Sequence, residues 1–266
     1  METGMKIRMN QIFNKKDGRS VMIAMDHGSI AGPMKGIVDP SELIEICSNN
    51  GVDSVLTTKG CASAAINCWD RTCGLALRLS GGFTVLGGKF EEQIITSPET
   101  AIAYGASCAA ITVKFGHEKE GEFIKQASLA ADRCHALGLP VMIEAMAKGT
   151  MFGNKFEAND TDAIKMVARM AAEIGADFVK TYYTGDAKGF SKVIEGCPVP
   201  VIILGGAKTD DIETVFSDIY QSLQAGGCGI AMGRNIWGQG NTEKMIKAVN
   251  GLVHENWSVK EALEVI

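Results

Sequence analysis

Three ionisable side chains stand where apolar stretches of the sequence run into polar turns, and such positions suit chemistry. Lys180 lies inside the apolar and aromatic stretch 178–183, which is followed by the turn Thr184-Gly185-Asp186. Apolar neighbours withhold water from an ammonium group and so favour the neutral amine, which is a nucleophile toward carbonyl carbon. A structural alternative stays open from this segment alone, because a lysine near a strand end can extend its ammonium group to solvent.

Two carboxylates occupy comparable positions. Asp26 follows the apolar run 21–25, where it suits a role at a reaction centre, although an aspartate there can also form a turn or cap a helix. The adjacent His27 either contacts a substrate or orients its neighbours. Glu144 shares one face of a predicted strand with Met146, since strand side chains alternate. We expect an inward face, which makes Glu144 a candidate general acid or base, because an outward face would set an unpaired charge against the helix layer.

A further lysine, Lys114, ends the apolar stretch 108–114. We expect it to be a solvated strand end, because lysine is rarely buried. An inward orientation would instead place a second cation near Lys180.

Two glycine turns near the end of the chain favour the binding of an anion. One turn contains Gly205 and Gly206 and leads to Lys208; the other contains Gly233 and leads to Arg234. Glycine allows backbone N–H groups to approach a ligand closely, and arginine binds phosphate through two parallel hydrogen bonds. The pattern therefore predicts a phosphate site, although a single Gly-Gly pair often forms only a tight turn.

The elements that position these residues alternate between strand and helix. Eight apolar runs of strand length are predicted at residues 21–26, 53–58, 75–80, 108–114, 140–146, 178–183, 200–206 and 229–233. Helices are predicted over residues 40–50, from Pro98 onward, and over 120–137, 161–174, 209–225 and 241–256, with capping residues at their starts and glycines after several of their ends.

This alternation, in a chain of 266 residues, predicts a single domain over residues 1–266 with the fold of a (β/α)8 TIM barrel. An open doubly wound sheet is the weaker alternative, because no Gly-x-Gly-x-x-Gly turn follows an early strand. Functional side chains of a TIM barrel lie at the carboxyl ends of its strands, so the lysine, the carboxylates and the glycine turns are expected to share one mouth. The glycine-rich stretch 81–90 after the third strand is a candidate lid.

Composition excludes several classes of function. The net charge is −5 and no basic tract occurs, which argues against a nucleic-acid partner. No apolar run approaches the roughly 20 residues of a membrane span, and the amino terminus lacks the apolar core of a signal peptide. The eight cysteines are scattered without the spacing of a zinc site, so we expect free thiols, no metal and a reducing cytoplasm.

Six stretches of the sequence, read together, form a specific pattern. They are Met25-Asp26-His27-Gly28 with Gly32-Pro33, Leu79-Ser80-Gly81-Gly82, Val179-Lys180-Thr181-Tyr182-Tyr183-Thr184-Gly185-Asp186, Gly196-Cys197-Pro198-Val199-Pro200-Val201, Gly205-Gly206-Ala207-Lys208 and Gly233-Arg234-Asn235-Ile236-Trp237. With these motifs the chain resembles, nearly end to end, the class I (Schiff-base) aldolases of the archaeal type, the DeoC/FbaB-like family.

The resemblance implies that Lys180 forms an iminium with the carbonyl of a phosphorylated ketose, that Asp26 supports proton transfer, and that the two glycine turns hold the phosphate. We expect Asp26 or Glu144 to be the base, Tyr182 and His27 to contact the substrate, and no cofactor to be needed. The resemblance also implies a homo-oligomer, a ring such as a decamer.

The family includes three activities, and the sequence shares features with each: fructose-bisphosphate aldolases, transaldolase-like aminodideoxyheptulosonate synthases, and the thiolase of 3-hydroxy-5-phosphonooxypentane-2,4-dione in autoinducer-2 breakdown. Aldolases and synthases of the family carry a Tyr-Pro-Arg-Gly motif on strand five, whose tyrosine is the general acid and base. This chain has Met146-Ala147-Lys148-Gly149 there, and the thiolase also lacks the tyrosine.

We expect a fructose-bisphosphate aldolase-like lyase in which Glu144 or Tyr182 replaces the missing tyrosine. The thiolase and the synthase are the alternatives. A barrel that binds phosphosugars without catalysis is a third possibility, because methionine cannot carry a proton.

Overall fold

The fold is a closed barrel of eight parallel strands with helices between them, as predicted. The computed structural model describes residues 2–70, 72–87, 89, 91–147, 149–151, 154–156 and 159–266, the segments 149–151 and 154–156 by their backbone alone. The barrel strands are β1 Ser20–Ala24, β2 Ser54–Thr57, β3 Gly74–Arg78, β4 Cys108–Phe115, β5 Val141–Ala147, β6 Phe178–Thr181, β7 Val201–Leu204 and β8 Gly229–Met232. Each strand pairs with its neighbours in sequence, and β8 closes the barrel on β1.

Alternating side chains divide the core into an inner and an outer part. One buried cluster fills the barrel and the other lies between the strands and the surrounding helices. The inner cluster includes Met22, Ala24, Leu56, Ala76, Ala110, Met142, Phe178, Ile202 and Ala231. The same alternation, continued toward the carboxyl ends, directs five polar side chains into the mouth of the barrel. These five are Asp26, Arg78, Thr112, Glu144 and Lys180.

The helices have the bounds α1 Glu2–Ile12, α2 Gly28–Ala31, α3 Pro40–Asn49, α4 Lys59–Ala64, α5 Pro98–Ala103, α6 Glu120–Ala136, α7 Thr161–Glu173, α8 Ala187–Gly196, α9 Ile212–Gln224, α10 Arg234–Trp237, α11 Thr242–His254 and α12 Val259–Leu263. The six predicted helices are present, and their ends differ from the predictions by a few residues at most where an end was predicted. Several begin at a capping side chain, such as Asp39, Ser97 and Asp160.

Helix α1 was not predicted, because its sequence is polar and carries no clear apolar face. Its last residue, Ile12, and the following Phe13 belong to the inner cluster, so the helix closes the amino-terminal end of the barrel. The ring of Phe13 meets that of Phe178 edge to face, with centroids 5.1 Å apart. The barrel therefore has one open mouth, at the carboxyl ends of its strands.

The candidate lid lies over this mouth. Ser80–Gly81 pairs in antiparallel fashion with Gln93–Ile94, which fixes both ends of the intervening loop. The N–H of Val85 donates to the carbonyl of Ile30 at 3.0 Å, so the loop is also joined to the segment after β1. Gly88 and Phe90 of the predicted lid lie outside the described residues, as does Lys148.

Within the described part of the chain, no helix is long and apolar enough to cross a bilayer. All eight cysteine thiols are free. The described residues also contain no group of three or more histidine, cysteine, aspartate or glutamate side chains placed to hold a metal ion.

Candidate active site

A cavity of about 400 Å³ occupies the mouth of the barrel. It brings together all but one of the residues that the sequence predicted for the site: Asp26, His27, Glu144, Lys180, Tyr182, Gly205, Gly206, Gly233 and Arg234. The exception is Lys208, which lies outside the cavity lining and forms an ion pair with the exposed Asp210.

Lys180 is buried in the cavity wall, with 5% of its surface exposed. It stands opposite Glu144 in the pairing of β6 with β5, and its Nζ lies 2.6 Å from Glu144 Oε1. The predicted position is therefore correct, but the expectation that apolar and aromatic side chains surround the amine is wrong. The amine of the empty site is half of a buried ion pair, because the strand register brings a carboxylate against it.

Arg78 joins the two carboxylates of the site, and the sequence reasoning did not select it. Its Nη2 lies 2.5 Å from Asp26 Oδ2 and 2.9 Å from Glu144 Oε2, and its Nε donates to the same Asp26 oxygen at 2.7 Å. Its Nη1 donates to the hydroxyl of Thr112, and that hydroxyl donates to Glu144 Oε2 at 2.8 Å. Asp26, Arg78, Glu144 and Lys180 thus form one buried network in which two cations balance two anions.

The network holds both carboxylates in the ionised form. Burial by itself raises the pKa of Glu144, but the charges of Lys180 and Arg78 outweigh it and hold that pKa well below its usual range. The pKa of Asp26 is lowered in the same way, since the Arg78 and Lys180 charges exceed the cost of burial. Both groups are therefore stable counter-ions, and a carboxylate with so low a pKa is a weak base.

Lys114 is buried rather than solvated, so the sequence expectation for this residue is wrong. Strand β4 continues one residue further, to Phe115, and Lys114 stands opposite Met146 of β5 within the paired ladder. Lys114 is two residues from the inward-facing Thr112, so it shares the inner face of the strand.

The two glycine turns meet at the side of the cavity next to β7 and β8. Arg234 donates from Nη2 to the carbonyl of Gly206 at 2.8 Å, while its buried Nε has no hydrogen-bond partner among the described residues. Gly206 has a φ of +64°, in the left-handed region that suits glycine. A Cβ on Gly233 would lie 2.2 Å from the carbonyl oxygen of Ala24, so that turn also requires glycine.

Asn235 fixes these turns relative to each other. Its Nδ2 donates to the carbonyls of Gly205 at 2.6 Å and Ala207 at 3.1 Å, and its Oδ1 accepts from the N–H of Thr209 at 2.9 Å. The hydrogen bonds of the described residues include none from the N–H of Gly206 or Ala207. This corner therefore offers backbone N–H groups beside the positive charge of Arg234 to an anion.

His27 and Tyr182 occupy the wall between these two regions. Burial lowers the pKa of His27, so its imidazole is neutral at physiological pH. The ring packs edge to face on Trp237, with centroids 5.6 Å apart, and its Nδ1 lies 3.7 Å from Asp26 Oδ1. Burial raises the pKa of Tyr182, which keeps its hydroxyl protonated.

Glu92 is a further carboxyl group in the cavity lining. It comes from the segment after the candidate lid, has 6% of its surface exposed, and its Oε2 has no hydrogen-bond partner among the described residues. Burial raises the pKa of Glu92, and the charge of Arg78 and the hydroxyl of Ser80 only partly oppose the shift.

The sequence reasoning missed Arg78, Thr112 and Glu92. Arg78 and Thr112 carried a usable signal, since each is a polar residue on the inner face of an apolar strand, as is Glu144. Glu92 carried none, because it lies in an irregular segment whose place depends on the folding of the whole barrel.

The chain is similar in sequence and in structure to known aldolases. Residues 20–239 match the DeoC/LacD family of aldolases. The chain is 30% identical over 273 residues to an uncharacterized aldolase of Saccharolobus solfataricus, with 99% of each chain covered. It is 32% identical to the 3-hydroxy-5-phosphonooxypentane-2,4-dione thiolase of Salmonella typhimurium, covering 100% of this chain and 87% of that protein.

Solved structures agree with these matches. A Schiff base-forming fructose-1,6-bisphosphate aldolase superposes with a TM-score of 0.84 at 29% identity, covering 94% of this chain and 100% of that one. An archaeal fructose-1,6-bisphosphate aldolase, solved with its catalytic lysine bound to a carbinolamine intermediate, gives a TM-score of 0.84 at 29% identity over 94% and 99% of the two chains. The chain belongs to the DeoC/LacD family of aldolases.

Proposed function

We propose that the protein makes or breaks a carbon–carbon bond of a phosphorylated ketose through a Schiff base on Lys180, as a class I aldolase. The observation that carries the proposal is the position of Lys180: a buried amine in the wall of the barrel cavity, 2.6 Å from Glu144. Related aldolases of known structure use a Schiff base, and one holds its substrate covalently on a lysine.

The corner formed by the two glycine turns, Gly205-Gly206 and Gly233-Arg234, supplies the second requirement, an anchor for the phosphate. Arg234 lines the cavity beside Gly206, and Gly206 and Ala207 have N–H groups that no described residue accepts. A phosphate oxygen at this corner would accept from these backbone N–H groups next to the positive charge of Arg234. A ketose anchored there would have its carbonyl carbon held near Lys180, across the same cavity.

The reaction balances without a cofactor. Lys180 adds to the keto carbon, the carbinolamine loses water, and an iminium forms; two of the three ammonium protons leave in that water. Glu144, held as an ion by Lys180 and Arg78, is the counter-ion first of the ammonium group and then of the iminium nitrogen. A base in the cavity takes the proton of the hydroxyl on the departing carbon while the iminium withdraws the electron pair of the adjacent carbon–carbon bond, so cleavage gives an aldehyde and an enamine. Protonation of the enamine and addition of water release the ketone product.

A thiolase is the second candidate, and Met146 favours it. Its thioether lines the cavity at the position where aldolases of the family carry a tyrosine, and it cannot transfer a proton. The thiolase of Salmonella typhimurium matches 100% of this chain with 87% of its own length. A thiolase would use the same lysine and phosphate corner but would pass an acyl group to coenzyme A.

Turnover assays separate these functions. Purified protein is given fructose 1-phosphate, fructose 1,6-bisphosphate, or a 2,4-diketone phosphate with and without coenzyme A, and products are followed by mass spectrometry. An aldolase cleaves a ketose phosphate without coenzyme A, whereas a thiolase acts on the diketone only with it. Lys180→Met must abolish either activity, and the matched change Lys192→Met, at an exposed residue of α8, must not.

Binding without turnover of any of these compounds would support a non-catalytic phosphosugar-binding barrel and would refute both enzymatic proposals. The ring-shaped homo-oligomer and the cytoplasmic location stay predictions from the sequence.

A further inference from the structure

The proposed chemistry requires a group that both gives and takes protons at the substrate, and the charged network does not provide one. Glu144 and Asp26 are held as ions by Lys180 and Arg78, and the pKa of each is lowered. A carboxyl group with a lowered pKa is seldom in the protonated form that would be needed to expel a hydroxyl. The thioether of Met146 in the same wall carries no proton.

Glu92 lies in a different electrostatic environment. Burial and the charges of Glu144 and Asp26 oppose the ionisation of Glu92, and the charge of Arg78 only partly offsets them. One of its two oxygens, Oε2, is buried in the structure without a partner among the described residues. A buried carboxyl oxygen without a partner costs less free energy in the neutral carboxylic acid than in the carboxylate, so the neutral form of this cavity-lining residue is favoured.

We propose that Glu92 is the proton-transferring residue of this site, which gives a proton to the leaving hydroxyl of the carbinolamine on Lys180 and then takes one from the neighbouring carbon. This inference rests on the proposed Schiff-base function. The cavity contains two kinds of carboxyl group: one kind is held as an ion and the other favours the neutral form. Active sites use such pairs to separate electrostatic stabilisation from proton transfer.

The two steps balance. The carboxyl proton of Glu92 joins the hydroxyl as the carbon–oxygen bond breaks, water leaves with that electron pair, and the nitrogen lone pair forms the iminium. Glu92, now a carboxylate, removes the proton from the carbon next to the iminium carbon. The electron pair of that carbon–hydrogen bond forms the enamine, and Glu92 returns to its protonated state for the next cycle.

The test measures this second step apart from cleavage. Wild-type protein with dihydroxyacetone phosphate in D₂O should exchange hydrogen for deuterium on the carbon next to the carbonyl, seen by NMR. Glu92→Gln keeps the shape of the side chain and removes its transferable proton, so exchange should slow by about 100-fold or more. Borohydride should still trap dihydroxyacetone phosphate on Lys180 of the variant after long incubation, because the amine is unchanged.

Glu91→Gln is the matched control, since the neighbouring Glu91 pairs with Lys119 at 2.6 Å and is absent from the described cavity lining. Its exchange rate should equal that of the wild type. The wild-type rate should also fall as pH rises through the raised pKa of Glu92, and Glu92→Gln should lose that limb of the profile. A merely structural role would not change the pH profile. Glu92→Asp, which withdraws the carboxyl by one methylene, serves if Glu92→Gln does not fold, and should give an intermediate rate.

The outcomes are distinct. Slow exchange with retained trapping in Glu92→Gln, and a normal Glu91→Gln, support the inference. Wild-type exchange in Glu92→Gln overturns it and leaves the Schiff-base function standing. No trapped adduct on wild-type Lys180 overturns both.

Discussion

Replacing Arg78 tests the network that the structure places at the centre of the site. Arg78→Met keeps much of the side-chain volume and removes a cation with three hydrogen bonds to Asp26, Thr112 and Glu144. The balance of two cations and two anions becomes an excess of one buried anion. Breaking a buried ion pair by removing one partner costs about 3–5 kcal/mol, because the remaining charge stays desolvated.

That cost is large beside the whole stability of a domain, which is about 5–15 kcal/mol. For a chain of this size, 1 kcal/mol corresponds to about 2–4 °C, so the melting temperature of Arg78→Met at pH 7 should fall by about 6–20 °C. Differential scanning calorimetry or far-UV circular dichroism measures the change. Arg78→Lys, which keeps the positive charge but not the planar guanidinium, should lower the melting temperature less.

The loss of stability in Arg78→Met should also depend on pH. Asp26 and Glu144 have lowered pKa values in the folded protein. Such groups contribute stability that is present above their unfolded pKa of about 4 and is lost as pH falls toward the folded value. The difference between Arg78→Met and the wild type should therefore be largest above about pH 6 and should narrow below about pH 4.

The double variant Arg78→Met with Glu144→Gln restores the balance of charge and should recover part of the stability of the single variant. An Arg78→Met protein as stable as the wild type at pH 7 would refute the argument. So would a stability difference that widens as the pH is lowered.

Three other predictions concern the remaining charged groups. Glu144→Gln should lower turnover by about 100-fold or more, because the iminium on Lys180 loses its counter-ion; wild-type rates would remove Glu144 from the mechanism. Arg234→Gln should raise KM for a phosphorylated substrate far more than it lowers kcat, while binding of the unphosphorylated analogue should be unchanged. An unaltered KM would exclude a phosphate site at the corner formed by the two glycine turns. His254 lies 2.7 Å from Asp17 and 3.0 Å from Asp53; burial alone would lower its pKa, but these hydrogen bonds raise it. The contribution of His254 to the free energy of unfolding is full below the unfolded pKa of about 6.5 and is lost as pH rises through the folded pKa. In urea unfolding, His254→Gln should therefore lower the free energy of unfolding by about 1–2 kcal/mol at pH 6 and by less at pH 9. An equal loss at both pH values would contradict this.

The sequence was sufficient for the barrel because strands covered on both faces are continuous apolar runs, and eight such runs alternate with capped helices. The strands themselves are shorter than predicted at several carboxyl ends, since residues such as Asp26 and Ser80 leave the paired ladder and turn toward the cavity. Helix α1 could not be predicted from periodicity, because only its carboxyl-terminal end is buried.

The alternation of side chains along the strands was sufficient to predict part of the site. It placed Glu144 on the inner face correctly and would have selected Arg78, two residues before Ser80, by the same rule. It could not show that Glu144 and Lys180 stand in register, since pairing depends on the closure of the whole barrel. Lys114 was misjudged because the average exposure of lysine was preferred to its position two residues after Thr112.

Borohydride trapping shows directly whether Lys180 forms a Schiff base with a substrate. The wild-type protein is incubated with dihydroxyacetone phosphate, reduced with sodium borohydride, digested and analysed by mass spectrometry. We expect a covalent adduct on the peptide that contains Lys180, absent without reduction and absent from Lys180→Met. An unmodified protein, or an adduct confined to other lysines, would contradict it.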